Sequence, residues 1–230
     1  MDGGPNPTQL RRAIGDALPF WDRDLDVLIV TQPRNDAIEA LPALLDRYTI
    51  RLAITNGQPD DSANYITLLR ALDEHNTTIM HATAGYRIET GDQVTLEFLH
   101  PPATPTASTS ADEAAIVLRV SYRDASFLLT PMLDERVGES ILNAGWYVGS
   151  TVLELPSYGS AKANPPAFLA AVNPQVGIVG VGAGNRSGLP DSITIERLQK
   201  LTGQPVFRTD QHGTVEIVTD GHTLWIYTES

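Results

Sequence analysis

At 230 residues, with 42% hydrophobic and 19% charged residues, the chain is long and apolar enough to bury its own core, which excludes a disordered tract. There is no cysteine, so disulfides, a thiol nucleophile and thiolate metal sites are ruled out. A balance of 16 basic against 28 acidic residues, net −12, argues against a broad face for a phosphate backbone, which must be neutralised by Lys and Arg.

The opening Met-Asp-Gly-Gly-Pro has neither the basic start nor the apolar centre of a secretory signal. No apolar run approaches the ~20 residues of a membrane helix, so a soluble domain is expected. Arg11, Arg12, Arg23 and Arg34 are close in sequence and read as scattered, solvated bases rather than a patch. Leu25 to Thr31 is a buried strand. Asn35 is positioned to cap a helix carrying Ile38, Leu41, Leu44 and Leu45 at helical spacing. Ile50 to Ile54 is the next strand and Asp61 to His75 the next helix, striped by Tyr65, Leu68, Leu69 and Leu72.

The middle turns to β structure at Thr78–His81, Tyr86–Glu89 and Gln93–Leu99, and Pro101 to Ser110 is an exposed loop. Ala115–Ser121 and Ser126–Thr130 flank Arg123-Asp124 as a hairpin. A helix at Asp134–Ala144, a strand at Thr151–Leu155 and a helix at Pro165–Val172 follow. Val176–Val181 is a strand and Asp191–Leu201 a helix. Thr214–Val218 and Thr223–Thr228 close the chain as a hairpin around Asp220-Gly221. Short strands alternating with helices define an α/β layered fold.

The five histidines, His75, His81, His100, His212 and His222, show no His-x-His or His-x-x-x-His spacing, and His212 forms an acid–His pair close in sequence with Asp210. Tyr158 and Lys162 match a Tyr-x-x-x-Lys pair without the glycine-rich dinucleotide loop it needs. Ser157 and Ser160 near Lys162 lack a nucleophile elbow and read as a polar loop. Gly180-Val181-Gly182-Ala183-Gly184 fails the G-x-G-x-x-G pattern and reads as a backbone turn.

Several segments follow one another in the order of a known family. They are Asp2-Gly3-Gly4-Pro5, Leu18-Pro19-Phe20-Trp21-Asp22, Thr31-Gln32-Pro33, Leu129-Thr130, Pro156 with Gly159-Ser160, Gly182-Ala183-Gly184-Asn185-Arg186, and Arg208-Thr209-Asp210 with His212-Gly213-Thr214-Val215. Over nearly its whole length the chain resembles the C-terminal metallo-β-lactamase-like domain of ComEC, the competence-type DNA-uptake protein. The resemblance implies one domain over residues 1–230, an αββα metallo-β-lactamase-like sandwich of two mixed β-sheets flanked by helices. It also implies that an edge strand, missing here, precedes Asp2 in the family.

That family's chemistry uses imidazoles and carboxylates at strand ends to hold ions that activate water. Its first ligand motif, T-H-P-D-A-D-H, stands here as Thr31-Gln32-Pro33-Arg34-Asn35-Asp36-Ala37, so only Asp36 survives. T-G-D becomes Thr130-Pro131-Met132, P-H-H-G-S becomes Pro156-Ser157-Tyr158-Gly159-Ser160, and G-H-P becomes Gly188-Leu189-Pro190. A fixed guanidinium repels a dication, so Arg34 is expected to pair with Asp36 in its place, and no metal or other cofactor is expected.

The resemblance therefore implies a non-catalytic structural or binding module related to DNA uptake, with DNA or the membrane-channel portion of a parent protein as partner. Its vestigial site comprises Gln32, Arg34, Asp36, Met132, Ser157, Tyr158, Asn185, Arg186 and Leu189, made partly apolar by Met132, Leu189 and Ala37. Two other readings stand beside it. One is a divergent hydrolase or nuclease using Asp36 with Asp112 and Glu113. The other is a small-ligand or partner-binding domain whose emptied pocket offers Arg34, Ser157, Tyr158 and Arg186 as polar contacts.

Overall fold

Apolar residues at period two and at helical spacing settle into two units, the first of residues 1–83 and 101–116, the second of residues 84–100 and 117 onward. The structure, a computed structural model, describes residues 1–229.

The first unit contains α1 (Pro7–Ala17), β1 (Asp24–Val30), α2 (Asn35–Ile38), α3 (Pro42–Leu45), β2 (Thr49–Thr55), α4 (Ala63–Glu74), β3 (Thr78–His81) and α5 (Ala111–Ala114). Its three strands form a wholly parallel sheet in the order β1-β2-β3. Crossovers through α2–α3 and α4 permit parallel pairing, because parallel neighbours cannot be joined by a tight turn. Both longer strands have their continuous buried run at the carboxyl end, at Leu28–Val30 and Ala53–Thr55, and β2 also buries Ile50. Leu28, Val30, Ile38, Leu41, Leu68 and Leu72 lead the core, and α4 presents Tyr65, Leu68 and Leu72 to it along one stripe.

Two expectations change here. Asn35 is the first helical residue rather than the cap, Arg34 holds the cap position in extended backbone, and no side chain caps the helix. The anticipated single helix is two short ones, because Pro42 has no N–H to continue the run. Helix α1 was not anticipated, although its signals are ordinary: Asn6 accepts from Thr8 N and Gln9 N at 3.0 and 3.1 Å, and Pro7 follows it. Likewise Ser110 and Glu113 form a capping box that starts α5.

The second unit contains β4 (Arg87–Glu89), β5 (Val94–His100), β6 (Val117–Tyr122), β7 (Ala125–Leu129), α6 (Glu135–Asn143), β8 (Val152–Glu154), α7 (Pro166–Val172), β9 (Val176–Val179), α8 (Ser192–Thr202), β10 (Val206–Arg208), α9 (Thr209–His212), β11 (Val215–Thr219) and β12 (Leu224–Thr228). A seven-stranded sheet runs β10-β9-β8-β7-β6-β5-β4, antiparallel from β4 to β7 and parallel from β7 to β10. Strands β11 and β12 pair separately as an antiparallel hairpin. Of the two main sheets, then, only this larger one is mixed.

Leu128, Leu133, Leu153, Phe168, Leu169 and Leu198 lead the second core. Gly177 is required there because a Cβ would overlap the Leu198 side chain, so α8 can lie directly on β9. Three residues of β10 were missed by periodicity, being too short a run to register. Among the described residues no helix is long and apolar enough to cross a membrane.

Candidate functional site

The nine residues singled out from the sequence fall into two groups. Gln32, Arg34 and Asp36 lie in the first unit, and Met132, Ser157, Tyr158, Asn185, Arg186 and Leu189 in the second.

In the first unit, β1 ends at Val30 and delivers Thr31, Gln32 and Pro33 to buried positions before α2 begins. Arg34 follows on extended backbone. Its Nε donates to Asp36 Oδ1 at 3.1 Å and its Nη2 to Asp36 Oδ2 at 3.0 Å, a two-pronged fork, while Nη1 reaches Asp112 Oδ1 at 3.4 Å. The anticipated pairing of Arg34 with Asp36 is present, and Asp112 joins it from α5. These side chains are 35 to 43% exposed, so the cluster contributes about 1 kcal/mol rather than the several of a dry pair. Glu113 closes the capping box on Ser110. The carboxylates proposed for a divergent hydrolase thus have structural partners.

Asp2 lies against the same strand end. Thr31 donates its N–H to Oδ1 at 2.8 Å and its hydroxyl to Oδ2 at 2.7 Å. Burial nevertheless raises the Asp2 carboxyl to about 6, the two Thr31 bonds opposing that rise and the charge of Asp36 adding to it. Buried polar groups continue along the strand ends. Asn56 donates to Ala114 O at 3.1 Å, and Thr55 Oγ1 meets His81 Nδ1 at 3.1 Å. The amide oxygens of Gln32 and Gln58 are buried without a donor among the described residues. Ala37, expected to line an emptied pocket, is instead part of the first core, because α2 turns it inward.

In the second unit, Met132, Ser157, Tyr158, Asn185 and Leu189 gather beyond the carboxyl ends of β7, β8 and β9. Ser157 and Tyr158 have φ of 49° and 56°, left-handed backbone in which each non-glycine residue costs on the order of 1–3 kcal/mol. The surroundings compensate. Ser157 N donates to Pro131 O and Ser157 Oγ to Leu133 O, both at 2.8 Å, bracketing Met132. The buried Asn164 donates to Pro156 O at 3.0 Å and Ser160 O at 2.7 Å. Asp191 leaves its own helix uncapped to accept from Ala161 N at 2.7 Å. Gly159 is required too, since a Cβ would stand 2.6 Å from Pro190 Cβ. Asn185 bridges its own loop, donating to Leu189 O at 2.9 Å and Gly182 O at 3.3 Å, and Arg186 is exposed beside it.

Other motifs resolve simply. Ser157 and Ser160 spend their hydroxyls on backbone, Ser157 donating to Leu133 O and Ser160 accepting from Ala163 N at 3.3 Å. Arg12 pairs with Asp16, Arg11 donates to Pro7 O, and Arg23 lies 5.6 Å from the Tyr48 ring. Asp210 is forked by Arg208 at 3.0 and 2.7 Å, and that hydrogen bonding lowers its pKa. Sequence proximity missed another acid–His pair, His222 Nδ1 to Asp124 Oδ2 at 2.7 Å, whose partners are 98 residues apart.

Enzymes of the expected fold carry a metal centre, and the donor set here does not fit one. A guanidinium occupies both oxygens of Asp36, and among the described residues no group of three or more His, Asp or Glu could hold an ion. No family model and no curated protein matches the sequence. Solved structures resemble its fold. A variant of CmlA β-hydroxylase aligns over 84% of this chain and 44% of its own, at 13% identity and a TM-score of 0.53. CmlA, a diiron β-hydroxylase from Streptomyces venezuelae, aligns over 84% and 45% at 14% identity and a TM-score of 0.48. CmlA is a metallo-β-lactamase-fold enzyme, and the first likeness shows that fold for this chain, which spans less than half the length of either structure.

Proposed function

We propose that this metallo-β-lactamase-fold chain is a non-catalytic binding or structural module that works without a metal ion. The observation that carries the reading is the Arg34 fork on Asp36 and Asp112. A permanent cation there neutralises the carboxylates a dication would need and repels that dication at short range. Gln32, Met132 and Leu189 stand where the resembled family places ligands, and they bring neutral or apolar groups to those positions. The ComEC-type resemblance supplies the context, DNA uptake. Within it, the excess of 28 acids over 16 bases favours the membrane-channel portion of a parent protein over DNA as the partner.

Calorimetric titration of manganese and zinc into the purified chain, with a manganese-dependent nuclease assay, tests the reading. Heats without saturation and intact DNA are expected. Stoichiometric binding that disappears in Asp36→Ala would overturn it. Fluorescence anisotropy with labelled single- and double-stranded DNA tests the partner. Tight, salt-sensitive binding would move the assignment from the channel portion to DNA.

A further inference from the structure

The parallel strands β7 to β10 have a second edge, where they begin rather than end. A cavity of about 770 Å³ lies there, within the size range of small-molecule sites. Ala125, Thr151, Val176 and Pro205 line it from strand starts, and Leu224 and Ile226 from β12. A smaller cavity of about 410 Å³ shares Asp124, Thr151, Asn173 and Gln175 with it. The two are parts of one groove, at the end of the sheet opposite Met132, Ser157 and Asn185.

The lining has a definite chemistry. Asn173, Gln175 and Gln204 spend no side-chain hydrogen bond among the described residues, so each amide keeps both a donor and an acceptor for a visitor. Asp124 is held by His222 Nδ1 at 2.7 Å, which fixes the carboxylate and leaves its other oxygen as an acceptor. Aromatic rings stand at both ends, Phe207 in the larger cavity and Tyr147 in the smaller. Tyr147 is 70% exposed, and it is braced rather than loose. Arg119 donates to Gly149 O at 2.9 Å with its guanidinium 5.1 Å from the Tyr147 ring, and Gly149 leaves room for that ring where a Cβ would overlap it.

Charge selects among ligands. No Lys or Arg lines the larger cavity, so a phosphate or carboxylate there would meet Asp124 without a cation to hold it. Paired amides match hydroxyls, which also donate and accept, and the exposed Tyr147 and half-buried Phe207 rings match the apolar faces of pyranoses. We propose that this groove binds a neutral saccharide, with Tyr147 and Phe207 as stacking platforms and Asn173, Gln175, Gln204 and Asp124 as hydroxyl partners. The site is independent of the Arg34 cluster and of the reading built on it.

Amide chemical-shift mapping of the intact chain with maltotriose, chitotriose and glucose tests this, with trialanine as the peptide control. At least one trisaccharide is expected to give saturable shifts at residues 147, 173–175 and 204, binding more tightly than glucose. Tyr147→Ala and Gln175→Ala, both at exposed positions, are expected to weaken that binding about fivefold to tenfold. Tyr147→Phe, which keeps the ring, should retain it. Saturation by none of the sugars, shifts from trialanine alone, or unchanged affinity in both alanine variants would each overturn the proposal.

Discussion

The carboxyl ends of the two main sheets solve one problem with different means. In the first unit, charge answers charge where Arg34 forks Asp36 and touches Asp112, and the neutral donors of Thr31 hold Asp2. In the second, mostly neutral hydrogen bonds brace a left-handed loop, with Asn164 and Ser157 tying it to backbone carbonyls and the Asp191 carboxylate accepting from Ala161 N. The Arg34 cluster is half-exposed and therefore open to salt, and the burial of Asp2 makes the first arrangement sensitive to pH. The second rests mainly on neutral groups, the buried Asn164 foremost, and is less open to salt.

The largest expected effect tests the neutral side. Asn164 is fully buried, and Asn164→Ala removes the donor to two carbonyls, so it is expected to cost about 3 kcal/mol in urea unfolding, unchanged by salt. A loss below about 1 kcal/mol would show that the loop is braced by something else. Next comes Asp2. Its folded pKa of about 6 lies above its unfolded value of 3.8, so the native state binds the extra proton between them. Stability on this account falls as pH rises from about 4 to 6, by up to about 3 kcal/mol, and is not regained above that. Asp2→Asn should flatten that stretch of the profile; an identical profile in the variant would refute the assignment.

Arg34→Asp places a third carboxylate beside Asp36 and Asp112 and is expected to cost about 1–2 kcal/mol at low salt, less at high salt. An unchanged melting temperature at low salt would count against the cluster. The smallest effect belongs to Arg12→Ala. Its ion pair with Asp16 is 73 to 82% exposed, so the change should stay within about 0.5 kcal/mol. A larger loss there would mean that exposure is a poor guide to which pairs matter in this chain.

Much of the fold was legible locally. The stripe of Tyr65, Leu68 and Leu72, the helix expected at Asp134–Ala144, and the turns at Arg123-Asp124 and Asp220-Gly221 all formed where periodicity and turn chemistry put them, give or take a residue. Local signals were also overlooked, in the Asn6 cap of α1 and the Ser110–Glu113 box of α5. Of the candidate site, the Arg34–Asp36 pair was readable because its members are two residues apart.

The amino-acid sequence by itself determined the α/β class, most strand and helix positions and the want of thiolate donors, since each depends on residue type or spacing along the chain. Only the tertiary structure decided that Asp112 joins Arg34, that Ala37 belongs to a core, that His222 meets Asp124, and that amides collect where β7 to β10 begin. Those partners are tens of residues apart, and chain folding, not spacing, brings them within hydrogen-bond reach.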